Sequence, residues 1–205
     1  MQRPRLILMC GLPGSGKTTL AKRLASEVPA VRLSPDDWKH ALGMDYYDEP
    51  GRKRLEARLW LLAQELLTLG QSVVMENGFW AREERDELRL AGRTLGATVE
   101  LHFLEAPLDE LWRRLALRNA EPMPGAVLII RADLERWAAQ FDAPDVGERT
   151  LFDTPAPSWP PTKNVCRAGS SRSEAAPLHH EYAGDPRRWS GTHLRVELLL
   201  PGLHL

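Results

Sequence analysis

Gly11-Leu12-Pro13-Gly14-Ser15-Gly16-Lys17-Thr18 fits the pattern GxxxxGK(S/T), and it stands directly after the apolar run Leu6-Ile7-Leu8-Met9-Cys10. A loop of this kind turns its backbone N–H groups toward nucleotide phosphates, sends its lysine to the β- and γ-phosphates and offers its threonine hydroxyl to Mg²⁺. Gly11, Pro13, Gly14, Ser15, Gly16, Lys17, Thr18 and the adjoining Thr19 are therefore the candidate ATP-binding residues, with Thr18 as the candidate metal ligand. The motif carries weight only between a strand and a helix, and both are legible. Leu6 to Cys10 reads as a short buried strand, and from Lys17 to Glu27 the residues Leu20, Ala21, Leu24 and Ala25 share one helical face.

Working outward, Pro29 to Leu33 reads as a second strand, and Ser34-Pro35-Asp36-Asp37 signals the start of a helix near Trp38. Leu55, Leu59, Leu62, Leu66 and Leu69 recur at steps of three or four and mark a long amphipathic helix over 52–69, capped by Gly70. Ser72 to Met75 is a third strand closing in Glu76-Asn77-Gly78, followed by a charged helix over 81–95 that ends at Gly96. Thr98 to Leu104 is a fourth strand, and Pro107 opens a helix carrying Leu108, Leu111, Trp112 and Leu115 that stops before Pro122 and Pro124. A further helix is expected over 126–141, with Ile130, Leu134, Trp137 and Phe141 on its buried stripe, and Arg149 to Asp153 is expected as a short last strand. Alternating strands and helices call for an α/β fold in three layers, a mostly parallel sheet with helices on both faces and ligands at the carboxyl ends of the strands.

The character changes beyond Asp153. Prolines, serines and scattered charges replace the apolar period from Thr154 to about Gly191, so residues 154–205 read as a disordered tail after a catalytic domain at 1–153. Only Leu194 to Leu198 alternates like a strand, and Trp159 and Trp189 are the residues that would dock such a tail. At 205 residues with a formal net charge of -1, the chain has room for one sizeable core and exerts no global pull on nucleic acid. The two cysteines, Cys10 and Cys166, make neither a disulfide framework nor a metal cluster, and no apolar run reaches membrane-spanning length. The first apolar run is too short for a secretory signal, so a cytoplasmic protein without a membrane or an evident protein partner is expected. His102, His179 and His180 lack ligand spacing with Cys or Asp partners, and Trp60, Trp112 and Trp137 fall on or beside apolar helical stripes, as core residues do.

Nucleotide binding becomes a reaction only if something activates an acceptor beside the γ-phosphate. Asp36, at the end of the second strand, faces the crevice beside the phosphate loop and is placed to take a proton from an acceptor hydroxyl. The structural alternative is that Asp36 or Asp37 caps the following helix, a role that neighbours can divide. Lys39, one turn on, either holds an acceptor phosphate or is simply solvated. Glu76 and Asn77 end the third strand, where a carboxylate would approach the metal or the acceptor. Arg113, Arg114 and Arg118 lie near the end of a helix before Pro122, and Arg118 is the favoured lid residue, with Asn119 to Pro124 as the lid turn.

These stretches, Gly11 to Thr19, Leu33 to Lys39, Met75 to Asn77 and Arg114 to Asn119, resemble the P-loop kinases of the polynucleotide kinase and zeta-toxin-like group, often described as AAA-family ATP-binding proteins. The resemblance covers about residues 5–153 and implies a P-loop NTPase fold that uses ATP and Mg²⁺. It implies Asp36 as general base, Lys39 as the basic residue that binds an acceptor phosphate, where those kinases use arginine, and Arg118, with Arg114, on the donor phosphates. Glu76-Asn77-Gly78 stands where the polynucleotide kinases carry aspartate followed by a small polar residue. The group phosphorylates nucleic-acid ends, sugar nucleotides and small molecules. The expected activity is transfer of the γ-phosphate of ATP to a hydroxyl acceptor, a small molecule or a nucleic-acid 5′-end. The alternatives are an ATP-hydrolysing switch and a non-catalytic nucleotide-binding module.

Overall fold

The computed structural model describes residues 3–121 and 127–155. In chain order the elements are β1 (Arg5–Cys10), α1 (Lys17–Glu27), β2 (Ala30–Leu33), α2 (Pro35–Ala41), α3 (Glu49–Thr68), β3 (Ser72–Gly78), α4 (Arg82–Thr94), β4 (Thr98–Phe103), α5 (Leu108–Ala120), α6 (Arg131–Ala138), α7 (Val146–Arg149) and β5 (Thr154–Pro155). The strands form one sheet in the order β2-β3-β1-β4-β5, parallel at every pairing. Successive side chains of a strand point to opposite faces, and β1 shows the result. Leu6, Leu8 and Cys10 join Leu59, Ala63 and Leu67 of α3 and Leu88 of α4 on one face. Ile7 and Met9 join Leu20, Ala21 and Leu24 of α1 on the other. A strand buried on both faces needs an unbroken apolar run, which is why Leu6 to Cys10 carries no polar residue. The chain winds one way from β1 to β2 and β3, then crosses to the other side of β1 for β4, so the carboxyl end of β1 lies at the switch point where such sheets bind ligands.

The elements depart from the sequence reading at several points. The helix after β2 starts at Pro35, earlier than Trp38, and its cap is Ser34, whose hydroxyl accepts from the Asp37 N–H, so neither aspartate caps it. Leu69 ends the leucine stripe of α3 in sequence, yet it is 82 % exposed as the C-cap. The helix expected over 126–141 contracts to α6, because Asn119 Nδ2 donates to the Ile129 carbonyl at 2.8 Å and holds the approach to the helix extended. Ile129, not Ile130, then joins Leu111, Leu115 and Leu134 in the core beneath α5. The strand expected at 149–153 is the end of α7 and a turn; Asp145 caps α7 by accepting from the Glu148 N–H at 2.7 Å, and the fifth strand follows at Thr154–Pro155.

That fifth strand pairs Thr154 with Glu100, so the sheet extends past the boundary expected at 153. The chain divides into a unit at 1–161 and a second at 162–205. The expected tail from residue 156 onward, with Trp159, Cys166, Trp189 and the strand at 194–198, lies outside the described residues, as do Pro122 to Pro124 of the expected lid turn. Among the described residues no helix is long and apolar enough to cross a membrane.

One buried ion pair fastens the far wall of the molecule. Arg85 of α4, fully buried, meets both carboxylate oxygens of Glu148 at 2.6 and 2.9 Å and also donates to the carbonyls of Phe79 and Asp142. Every donor of the guanidinium that these bonds use is then matched, which offsets the cost of burying the charge. Replacing Glu148 with alanine leaves that charge unpaired, and the variant is expected to lose about 3–5 kcal/mol of stability, checked by urea titration followed by circular dichroism.

Candidate functional site

Gly11 leaves β1 with φ +140°, and a Cβ there would sit 2.7 Å from the Leu104 carbonyl oxygen. Gly14 has φ +82°, and a Cβ would come within 3.0 Å of the Leu111 carbonyl. Only glycine passes through such a turn, and it leads the backbone into α1 with no side chain capping the helix. The first N–H groups of α1 therefore keep their donors for an anion, and the helix dipole favours negative charge at the same spot. Lys17 Nζ donates to the Leu12 carbonyl at 2.9 Å, bracing the loop. Burial pulls the Lys17 ammonium down to about 8, while Glu76 and Asp36 act in the opposite sense. A bound polyanion would add to the counter-charge that Glu76 and Asp36 offer this desolvated lysine.

A cleft of about 810 Å³ opens above the loop. Of the residues singled out in the sequence, Pro13, Gly14, Gly16, Lys17, Thr18, Thr19, Asp36, Lys39, Glu76, Asn77, Arg114 and Arg118 line it. Gly11 and Ser15 lie behind the loop instead, Ser15 being 5 % exposed with its hydroxyl unpartnered. Thr18 Oγ1 donates to Glu76 Oε1, and Arg32 Nη1 donates to the other Glu76 oxygen at 2.5 Å while its Nη2 meets Asp37. Oxygen donors such as Thr18 and Glu76 suit a hard divalent cation, which keeps several waters and takes few side-chain ligands.

The two aspartates of α2 diverge here. Asp37 is held by Arg32, whereas the exposed Asp36 carboxylate has no hydrogen-bond or ion-pair partner among the described residues. Lys39 lines the cleft but is only 2 % exposed; its ammonium donates to the Tyr46 carbonyl at 2.5 Å and lies 4.8 Å from the centre of the Tyr46 ring. It does not stand free for a phosphate. From α5, Arg114 reaches the Gly14 carbonyl at 3.3 Å and Glu110 at 2.7 Å, and Arg118 donates to the Val127 carbonyl at 3.3 Å. Arg113 turns away to Glu110.

The cleft is also lined by residues that the sequence reading passed over. Arg52 and Glu56, one turn apart on α3, pair at 2.8 Å. Glu84, in the first turn of α4, has no hydrogen bond or ion pair among the described residues. Burial, with nearby Glu56 adding to it, pushes its carboxyl up to about 7. Trp80 and Trp137 also line the cleft, their rings 6.1 Å apart. Trp80 lies just past the end of β3, after Phe79, and that position was the available signal, since strand ends in such sheets face the crevice. Burial pushes the Cys10 thiol at the end of β1 up to about 12, so that group stays protonated.

A family model described as AAA domain, AAA_33, matches residues 6–144, more than half of the chain. The chain belongs to the AAA domain family. Its fold is that of P-loop NTPases, and kinases stand among its structural neighbours. A chain of the Pnkp1/Rnl/Hen1 RNA repair complex aligns with a TM-score of 0.58 at 22 % identity, over 83 % of this chain and 53 % of that one. The present chain thus spans about half the length of that neighbour. A candidate kinase from Chloroflexus aurantiacus J-10-fl aligns with a TM-score of 0.54 at 30 % identity, over 70 % of this chain and 83 % of its own. Kti12 from Chaetomium thermophilum, in complex with ADP-AlF3, aligns with a TM-score of 0.60 at 16 % identity, over 76 % and 89 %. No curated protein matches the chain.

The Glu84 environment has a consequence for stability. An acid whose pKa in the folded state is raised, here from 4.5 to about 7, binds more protons folded than unfolded between those two values, so the folded state loses stability as pH rises through that window. Glu84→Gln removes this dependence. The variant is expected to melt at a higher temperature than the parent at pH 8 and at the same temperature at pH 4.5, checked by calorimetry at the two pH values.

Proposed function

We propose that this protein is an ATP-dependent phosphotransferase that moves the γ-phosphate of ATP to a hydroxyl acceptor. The observation that carries the reading is Asp36, an unpartnered carboxylate in the same cleft as Lys17 and Thr18, while its neighbour Asp37 is tied down by Arg32. A general base must be unencumbered and within reach of the proton that it takes, and Asp36 meets the first condition by contrast with the residue beside it. In the reaction the acceptor oxygen forms a bond to the γ-phosphorus as the bond from that phosphorus to the β-bridging oxygen breaks. The hydroxyl proton passes to Asp36, and ADP leaves.

The loop N–H groups and Lys17 hold the donor phosphates; Arg118, now resting on a backbone carbonyl, and the Nη1 of Arg114, resting on the Gly14 carbonyl while its Nε stays on Glu110, exchange those carbonyls for phosphate oxygens. Such a change of partner is favourable because a charge-assisted bond to an anion is about twice as strong as one to a neutral carbonyl. Thr18 and Glu76 would hold Mg²⁺, which when bound neutralises charge on the phosphates. Arg32 orients Glu76 for this by holding its second oxygen. The Chloroflexus aurantiacus neighbour supports the kinase reading; the neighbours below 25 % identity bear on the fold alone.

Asp36→Asn keeps the size and shape of the base and removes its proton affinity. Transfer is expected to fall by roughly 10²–10⁴-fold with ATP affinity unchanged, measured by release of labelled γ-phosphate and by nucleotide titration. Unchanged turnover would defeat the assignment. ATP hydrolysis that proceeds with no hydroxyl acceptor and needs a protein partner would favour the switch.

A further inference from the structure

Phe79 stands in a conformation that a bulky side chain disfavours. Its φ is +44°, in the left-handed region, directly after Gly78 at φ +94°. Such a turn persists only where the surrounding contacts over-determine it, and here they do. The Phe79 side chain is 1 % exposed, in the core with Cys10 and Leu88. Its carbonyl accepts from Arg85 Nη1 at 3.0 Å and from Cys10 Sγ at 3.4 Å. The same Nη1 donates to the Asp142 carbonyl at 2.8 Å, and the Asp142 N–H donates to the Trp80 carbonyl at 3.1 Å. One nitrogen of Arg85 thus closes a ring of hydrogen bonds through Phe79, Trp80 and Asp142, while Glu148 grips the guanidinium at Nε and Nη2.

The two segments joined in this way carry two indoles of the cleft. Trp80 follows Phe79, and Trp137 belongs to α6, which leads into Asp142; their ring centres are 6.1 Å apart. A Cβ on Gly78 would come 3.0 Å from Trp80 Nε1 and 3.5 Å from the Gly11 carbonyl oxygen, so the indole folds back over the end of β3 beside the start of the phosphate loop. We infer that Arg85 is a positioning residue for the cleft: it holds the strained turn at Phe79 and through it sets the Trp80 indole against Trp137 as one aromatic wall. Arg85 is fully buried and acts through Trp80, not by touching a ligand. Stability alone does not call for a charge at this place, since replacing a buried ion pair with well-packed apolar residues is often neutral or stabilising. What apolar side chains cannot do is donate to two carbonyls on separate segments, and the arginine does so with one nitrogen. What the wall meets rests on the proposed function: Glu76 and Asn77 precede it on β3 in the same cleft, and an indole face takes the apolar face of an acceptor, not a phosphate.

The test labels the full-length protein with 5-fluorotryptophan and assigns the Trp80 and Trp137 fluorine resonances by Trp80→Phe and Trp137→Phe. The double variant Arg85→Met with Glu148→Leu removes both charges together, so that no ion is left unpaired, and it removes the bonds to both carbonyls. Its Trp80 and Trp137 resonances are expected to shift or split, while those of Trp38 and Trp60 keep their parent positions. Where the double variant does not melt cooperatively, Arg85→Lys, which keeps a charge for Glu148 without the planar fork, is read in the same way. Unmoved Trp80 and Trp137 resonances, or equal movement of all four, would overturn the inference. ADP formation with Mg²⁺-ATP, and with a 5′-hydroxyl oligonucleotide, gluconate and 2-deoxyglucose as probe acceptors, is the second readout. The double variant and Trp80→Ala are each expected to raise the KM of a phosphorylated probe at least fivefold and to leave the KM for ATP within twofold of the parent. An unchanged probe KM, or an equal rise in both KM values, would overturn the link from this wall to the acceptor. ADP formation that no probe stimulates counts against the kinase reading alone, and the fluorine spectra still decide the positioning.

Discussion

The turn out of β1 has no room for a side chain, and most of the site depends on that fact. A Cβ on Gly11 would meet the Leu104 carbonyl at 2.7 Å, and one on Gly14 the Leu111 carbonyl at 3.0 Å. The first contact packs the loop onto the chain leaving β4, and the second packs it onto α5. Because α5 touches the loop directly, it delivers Arg114 to the Gly14 carbonyl and sets Arg118 at the rim of the cleft. The same close approach leaves the start of α1 uncapped and its N–H groups available to an anion. One tight turn thus fixes the phosphate cradle and the arginines that face it.

Charge is distributed around this turn so that some groups are held and others are left unpartnered. Glu76 is gripped by Thr18 and Arg32, and Arg32 also holds Asp37, so the central cation fixes the carboxylate at the end of β3 and the aspartate on α2 together. Asp36 and Glu84, both lining the cleft, are left without a hydrogen bond or ion pair among the described residues. Unpaired carboxylates in a partly desolvated cleft cost stability, and such groups concentrate where chemistry or binding uses them. The buried Arg85–Glu148 pair is of the other kind. Arg85 also holds the Phe79 carbonyl, and the Asp142 N–H donates to the Trp80 carbonyl, so the backbone that carries Trp80 into the cleft is tied at both residues.

One fold can serve many acceptors, because the loop that meets phosphates is built from backbone while the rest of the cleft is lined by side chains on separate helices. Under the proposed transfer, the part of the cleft lined from α2, α3 and α4 would receive the acceptor, and Lys39 there is drawn inward onto Tyr46. Lysine offers a point charge on a flexible stem and is readily redirected in this way, whereas an arginine fork at the same position could hold a backbone carbonyl and a phosphate together.

The sequence by itself determined the first four strands of the sheet and the glycine-rich loop that follows the first of them. Those follow from local rules: an apolar run for a strand buried on both faces, glycines where φ is positive, and a lysine and threonine at fixed offsets along one turn. Asp36 was legible for the same reason, since strand ends face the crevice. Local rules did not reach the contracted α6, where a hydrogen bond from Asn119 to Ile129 overrode the apolar period, nor the division between Asp36 and Asp37, which depends on where Arg32 reaches. Lys39 turning inward, and Arg52, Glu56, Glu84 and Trp80 coming to line the same cleft, were decided by tertiary structure alone. These residues lie on different elements, and only the packing of α2, α3 and α4 against the sheet brings their side chains together, burying some and stripping others of water.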